Sequence, residues 1–439
     1  MRVCLRSYEI KELPMHLSPL SCLRPSPELV KDFVTPPYDV FTHKTAREWA
    51  QKHLRSFITI DRPEVNFPEQ YTRYAPEVYA KANDIIEQRL HDSTLLVDAT
   101  PCLYVWRLSV QGHSQVGLVG AVSVDEYVKG SIKQHEAVRP EKMQDRLELM
   151  KATSLQTSPV LMMHRANPSL THSIHAALTD KPLYDFIDTT GVHHSIWRID
   201  HPDTIAKLCA LYEQIDTAYI ADGHHRAAAA VALNRAIDTP QRTDALSSKF
   251  LAVLFSAEDL TILPYHRLIH DTNGMSTSTL REKIRQAGIP VVAKTADSIK
   301  AAATAKSTGA AKTGIQSQTT QDLRVPMFVD NNWYELDLRQ FNNTYTPTCT
   351  AQDLLQRLVL APILGIHDPT KDPRISFIGG MVSTQELQEA AQTTKGVVFS
   401  PAAVCAQQIM SIADAGTIMS PKSTWFEPKL LSGLFMRHI

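Results

Sequence analysis

The chain has 439 residues, of which 43% are hydrophobic and 21% charged. That composition supports a sizeable core and excludes a disordered chain. With 45 Lys and Arg against 46 Asp and Glu, the net charge is −1; this excludes the whole-surface basic field of a dedicated duplex-DNA binder and still allows a local basic pocket.

No run of about 18 uncharged apolar residues occurs, so neither a membrane nor a nucleic acid is expected as a partner. The opening segment carries Arg2, Arg6, Glu9, Lys11 and Glu12 and lacks the apolar stretch of a secretory leader. The six cysteines are scattered without a C-x-x-C pair, which argues against a zinc knuckle or a dithiol motif. Reduced thiols in a cytoplasmic protein are the expectation.

In chain order, Val34 to Pro37 leads into the proline-stiffened loop Tyr38-Asp39-Val40. Thr42 to His53 reads as a helix with Thr42 as N-cap, and Tyr71 to His91 as a longer one. Leu103 to Val110 and Val116 to Val124 read as a hairpin turning over Gln111 to Ser114. Asp145 to Thr153 is rich in helix formers, and Val192 to Ile199 reads as a strand. Alternation along that strand sends His193 and His194 to opposite faces, so they are not a chelating pair.

Thr217 to Ala221 is a short β-type run. Asp222-Gly223-His224-His225-Arg226 follows at once, and then a helix from Ala227 to Ile237 closed by Pro240. Phe250 to Ser256 and Leu260 to Pro264 read as strands. The segment from Asp297 to Thr320 has low-complexity linker composition. Beyond it come a hairpin around Asp330-Asn331-Asn332, an amphipathic helix over Ala351 to Leu364, a strand at Ile375 to Ile378, a helix from Thr384 and a last helix near Ala402 to Ala413. The expected fold is α+β, with a mixed sheet in the larger part and a smaller α+β C-terminal part. The expected division is 1–295, a linker or insertion at 296–320, and 321–439.

The strand–Gly–helix passage at Tyr219 to Ala230 carries the strongest chemical signal. Gly223 lets the backbone approach a ligand closely, and a helix start offers free N–H groups to an anion. Arg226 adds a planar fork suited to phosphate, His224 and His225 add donors, and Asp222 could orient a histidine, hold a metal or accept a proton. The structural alternative is a tight turn whose polar residues cap the helix.

A second constellation is His135, Glu136, Arg139, Glu141, Lys142, Asp145 and Arg146, seven ionisable residues within twelve positions. Arg139, Lys142 and Arg146 share one helical face and suit a polyphosphate with its Mg²⁺, or else form a solvated face. Glu136 is a candidate general base, with Asp39, Asp222 and His225 as the other candidate catalytic groups. Tyr38 and His135, with Lys422, Ser423 and Lys429 of the carboxyl-terminal tail, are candidate substrate or lid residues. Pro264-Tyr265-His266-Arg267 is a weaker candidate at a strand end. No P-loop, no G-x-G-x-x-G and no H-E-x-x-H is present.

On these residues the chain resembles the family known as domain of unknown function 1015. The resemblance is carried by Pro36-Pro37-Tyr38-Asp39-Val40, Ser56-Phe57 with Arg62-Pro63-Glu64, Gly130 through Glu136 and Lys142 through Arg146. It continues through Tyr219 to Arg226, Leu364-Gly365-Ile366 and Pro421 through Leu430. The Asp-Gly-His-His-Arg turn is in turn similar to the phosphate loop of the ParB/sulfiredoxin superfamily, which includes CTP-binding partition proteins and free-serine kinases. That second resemblance implies that Gly223, His224, His225 and Arg226 hold phosphate. It also implies phosphorylation of free L-serine from ATP, ADP or pyrophosphate with Mg²⁺. The carboxylate base is not fixed by it, and Ala227 stands where many relatives have a bulkier residue. The competing functions are a nucleotide-binding switch without turnover and a metal-dependent hydrolase. The expected partners are a small-molecule substrate and a phosphate donor, and a homodimer is allowed.

Overall fold

A computed structural model describes residues 15–178, 181–236, 246–301, 322–342 and 349–439. The expected linker at 296–320 and the helix end at Pro240 lie largely outside the described residues. The chain divides into two compact units, Met1–Lys133 with Val138–Ser256 and Lys429–Ile439, and Gln134–Ala137 with Ala257–Pro428. This differs from the expected division near residue 295: the second unit takes in the strands that follow Ser256, and the last residues of the chain return to the first.

Among the described residues the first unit carries a nine-stranded mixed sheet. Its strands are β1 (Leu17–Ser18), β2 (Leu103–Val110), β3 (His113–Ser123), β4 (Ile132–Lys133), β5 (Val160–His164), β6 (Tyr184–Ile187), β7 (His193–Ile199), β8 (Ala218–Asp222) and β9 (Lys249–Ser256). The spatial order is β4-β8-β5-β9-β3-β2-β7-β6, with β1 added to β3. β8 runs parallel to β4 and β9 runs parallel to β5, while the remaining pairings are antiparallel. The α+β class with a large mixed sheet is therefore what the chain forms.

Local chemistry explains the elements. β5 is buried at every position and β9 at all but Lys249, as expected of central strands covered on both faces. β2 and β3 turn through Gln111 and Gly112, both at positive φ, so the hairpin loop is two residues shorter than Gln111 to Ser114. Helix α1 (His43–Lys52) starts on a Thr42–Thr45 capping box. Helix α2 (Pro76–His91) starts later than Tyr71, because Pro76 at its first turn sets the boundary.

Two further helices frame the site. Helix α3 (Pro140–Thr153) has Arg139 at its N-cap. Helix α4 (His224–Ala236) opens at His224, not at Ala227, because Ala227 N–H already bonds to Gly223 C=O at 3.0 Å. One side of α4 packs Ala227, Ala230 and Val231 with Ala218 and Ile220 of β8 and Met162 of β5. Its other side packs Ala229 and Leu233 with Leu147 and Met150 of α3. Small alanines let this helix be buried on two sides, which is why it shows no amphipathic stripe.

The second unit has its own six-stranded sheet, ordered Val291–Lys294, Asn332–Asp337, Arg324–Val329, Val397–Phe399, Tyr265–Ile269 and Ile375–Gly379. The hairpin around Asp330 and Asn331 forms with both residues at positive φ. The helix expected over Ala351 to Leu364 is α-helical for Ala351–Leu355 and then widens to a π turn over Gln356–Leu360. Among the described residues no helix is long and apolar enough to cross a membrane.

Candidate functional site

In the first unit, strand β8 passes into helix α4 through Gly223. Gly223 has φ +96°, a conformation L side chains rarely adopt. A Cβ placed on it would meet the Arg226 guanidinium at 3.0–3.1 Å. The guanidinium thus lies flat against the Gly223 backbone, one turn into the helix it opens. Arg226 is buried; its Nη1 donates to Pro159 C=O, and its Nε has no hydrogen-bond partner among the described residues.

Asp222 precedes the turn and accepts from Lys429 Nζ at 2.8 Å. Burial alone would raise its carboxyl pKa. Lys429, and then Arg226 and His224, hold it far below the usual carboxylate range instead. His224 is buried, and desolvation pushes its imidazole down to about 3 against the pull of Asp222. It is therefore neutral at pH 7. His225 Nε2 accepts from Arg139 N–H at 3.1 Å, which ties the start of α3 to the start of α4 and places the proton of a neutral ring on Nδ1.

Behind the turn lies a buried ionic network. Arg146 of α3 donates from Nη1 to Asp61 at 2.9 Å and from Nη2 to Asp145 at 2.8 Å. Its guanidinium also sits 4.1 Å over the Tyr38 ring. Tyr79 Oη completes Asp145 at 3.0 Å. Asp61 is 1% exposed, and burial raises its pKa despite the opposing fields of Arg146 and Arg226. Arg146 is thus committed to two carboxylates and a ring. Asp39, next to Tyr38, is exposed and makes no ion pair or hydrogen bond among the described residues.

The structure brings Tyr38, Asp39, Arg139, Lys142, Arg146, Asp222, Gly223, His224, His225, Arg226 and Lys429 into the first unit. His135, Glu136, Lys422 and Ser423 belong to the second. There His135 is buried, with Nε2 3.2 Å from Thr424 Oγ1, and its carbonyl accepts from Met419 N–H at 2.9 Å. Ser423 Oγ donates to Ser420 C=O at 2.6 Å, and Lys422 Nζ stands 5.4 Å from the Tyr265 ring centroid. Glu136 is half-buried in its loop. Of the Pro264–Arg267 stretch, His266 and Arg267 are buried, and desolvation lowers their pKa values to about 4 and about 10.

Asp61 and Arg73 lie outside every motif that the sequence offers. Asp61 ends a single helical turn, Ile58–Asp61, and nothing in its local spacing points to α3. Arg62 and Glu64 were visible only as part of the family resemblance.

In the mixed α+β sheet of the first unit, a glycine turn with an arginine on its backbone thus joins a paired strand to a buried helix. The chain belongs to the family described as protein of unknown function (DUF1015), whose model matches residues 17–358. No curated protein matches the chain. Among solved structures, it is similar to a free serine kinase in complex with AMP, at 12% identity over 70% of this chain and 86% of that one, with TM-score 0.35. It is similar to SbnI with C-terminal truncation from Staphylococcus aureus, at 12% identity, 73% and 87% coverage and TM-score 0.37. A conserved hypothetical protein from Pyrococcus furiosus gives 12% identity, 73% and 95% coverage and TM-score 0.36. Likenesses this distant assign no chemistry.

Proposed function

We propose that the chain is a small-molecule phosphotransferase that moves a phosphoryl group from ATP, ADP or pyrophosphate to the hydroxyl of free L-serine. The observation that carries this reading is the Gly223 turn, with the Arg226 guanidinium laid on its backbone at the opening of a helix of 13 residues. Phosphoryl transfer needs positioning and charge neutralisation more than covalent help, and this turn offers both. Its likeness to the ParB/sulfiredoxin phosphate loop rests on the same residues.

In this reading the backbone after Gly223 and Arg226 seat the phosphate. Lys429 holds Asp222, and His225 holds the start of α3 in place. Asp222 is bonded to a lysine and is a poor proton acceptor. Asp39, which lacks a cation partner among the described residues, is the better candidate base in this unit. Mg²⁺ would arrive with the donor and supply charge neutralisation. There Asp39 or Asp222 would add one or two carboxylates to the donor's own phosphates as its ligands.

Incubation with serine, Mg²⁺ and each donor in turn, followed by ³¹P NMR, tests the reading. A new phosphomonoester resonance with one donor supports it, and none with any donor overturns it. Nucleotide binding without serine-dependent turnover would favour the switch, a reading supported by the Lys429 bond that occupies Asp222.

A further inference from the structure

A second cluster of cations stands beside the Gly223 turn. Glu64 is its hub: Arg62 Nε lies 2.7 Å from Glu64 Oε1, Arg73 Nε 3.4 Å and His43 Nδ1 3.9 Å. Arg62 also donates to Tyr38 C=O at 3.0 Å and Phe41 C=O at 3.1 Å, so it is fixed in place. Lys142 projects into the same neighbourhood from the first turns of α3. It forms no hydrogen bond or ion pair among the described residues. Burial, and then the field of Arg73, lower its pKa, with Arg139 and Arg62 adding to the effect. The opposing carboxylate, Asp145, is already engaged by Arg146 and Tyr79.

Arg62 and Arg73 therefore share one carboxylate, Glu64, and Lys142 stands beside them facing Asp145, which Arg146 and Tyr79 already engage. A half-buried ammonium without a partner among cations is costly for the fold, and a bound anion would remove that cost. The site is open enough for one, because His43 is 57% exposed and Arg73 21%. It also adjoins the turn. Lys142 follows Arg139 by three residues, His225 precedes Arg226 by one, and the Arg139–His225 hydrogen bond joins the two at 3.1 Å.

We propose that Lys142 and Arg73, with Arg62 held behind them by Glu64, form a second anion subsite, and that the ligand class is a diphosphate. One phosphoryl group rests on the Gly223 turn and the next between Lys142 and Arg73. The first placement rests on the phosphate reading of the turn; the second stands on the cation cluster itself. The inference deepens the proposed function by assigning residues to the second of two linked phosphoryl groups, the part that ATP, ADP and pyrophosphate share.

The test is calorimetry on the full chain at fixed ionic strength, with inorganic pyrophosphate and inorganic orthophosphate as probes. Wild type is expected to bind pyrophosphate more tightly than orthophosphate. Lys142→Gln and Arg73→Gln should each weaken pyrophosphate by about tenfold or more, and weaken it more than orthophosphate. Lys142→Gln should also melt higher than wild type without anion, since it removes an unpaired charge and leaves no group behind. A merely structural lysine would not combine gained stability with lost affinity. Wild-type pyrophosphate affinity in both variants, or no pyrophosphate binding by wild type, would overturn the subsite. Arg226→Lys separates the two placements. If it binds pyrophosphate normally while Lys142→Gln does not, the reading of the turn fails and the subsite stands. The reverse result removes the subsite and keeps the turn.

Discussion

Lys429 Nζ lies 2.8 Å from Asp222 Oδ2, so a residue ten positions from the chain end neutralises the carboxylate that precedes the Gly223 turn. Both side chains are largely buried, at 19% and 25% exposed. Charge pairs of this kind matter mainly through what their loss leaves behind.

Lys429→Met should therefore destabilise the first unit by about 1–3 kcal/mol near neutrality, because Asp222 is left charged and poorly solvated. The sign with pH follows from Asp222. Its folded pKa lies below its unfolded one, so the pair contributes fully above the unfolded value of about 3.9 and is lost as pH falls below it. Denaturant midpoints of wild type and variant should differ at pH 7 and converge toward pH 3. A constant gap would show that Asp222 is not the group involved.

Gly223→Ala tests the close approach. The new Cβ needs φ +96° and meets the guanidinium at 3.0 Å. Gly112→Ala is the control, since Gly112 has φ +78° and nothing within 4 Å. Each should cost about 1–2 kcal/mol in backbone strain, read as a drop in melting temperature. Only Gly223→Ala should also lose pyrophosphate affinity by calorimetry. Equal binding in both variants would detach Arg226 from the turn's function.

Arg226→Ala should lower affinity for a phosphate donor by about 1.5–3 kcal/mol, the value of charged hydrogen bonds. It also strips Pro159 C=O of its donor, so melting temperature should fall. Arg226→Lys restores charge without the fork. It should recover stability in part and affinity less, measured by calorimetry against the same donor.

How much of this was legible in the sequence depends on range. The Thr42 cap, the hairpin over Gln111 and Gly112, the β8 run and the Gly223 turn are local patterns, and they form close to where the residues predict. The helix start moved to His224 because alanine content marks propensity, whereas the first Ala227-to-Gly223 bond marks the boundary. Domain limits were not legible, since the returning tail that brings Lys429 to Asp222 is 207 residues away in sequence. For the same reason Asp61 was missed: its partner Arg146 lies 85 residues on. Spacing predicts one helical face for Arg139, Lys142 and Arg146, but Arg139 caps α3 and Arg146 enters the buried ionic network, and spacing alone does not say what either meets.

His224 should act through stability rather than as a titrating ligand. Its folded pKa of about 3 lies below the unfolded value of about 6.5. Between those values the unfolded chain binds the proton and the folded chain does not, so stability falls as pH drops through that window. His224→Gln should flatten this dependence. The loss in denaturant midpoint from pH 7.5 to pH 4.5 should be smaller in the variant than in wild type. Equal losses would mean that His224 is protonated in the folded state.

Arg146 should prove a stability residue. Three of its contacts are fixed: Asp61 at 2.9 Å, Asp145 at 2.8 Å and the Tyr38 ring at 4.1 Å. Asp145 stays ionised against burial chiefly because of Arg146. Arg146→Met leaves two buried carboxylates without their cation, and the cost should be about 3–5 kcal/mol. Arg146→Lys keeps the charge but cannot span both acids, so it should lose less. Adding Asp61→Asn and Asp145→Asn to Arg146→Met should recover much of the loss, because the uncompensated charges go with their partner. Thermal melts of the four proteins decide the matter. A triple variant no more stable than Arg146→Met would mean that the three side chains stabilise the fold independently rather than as one buried network.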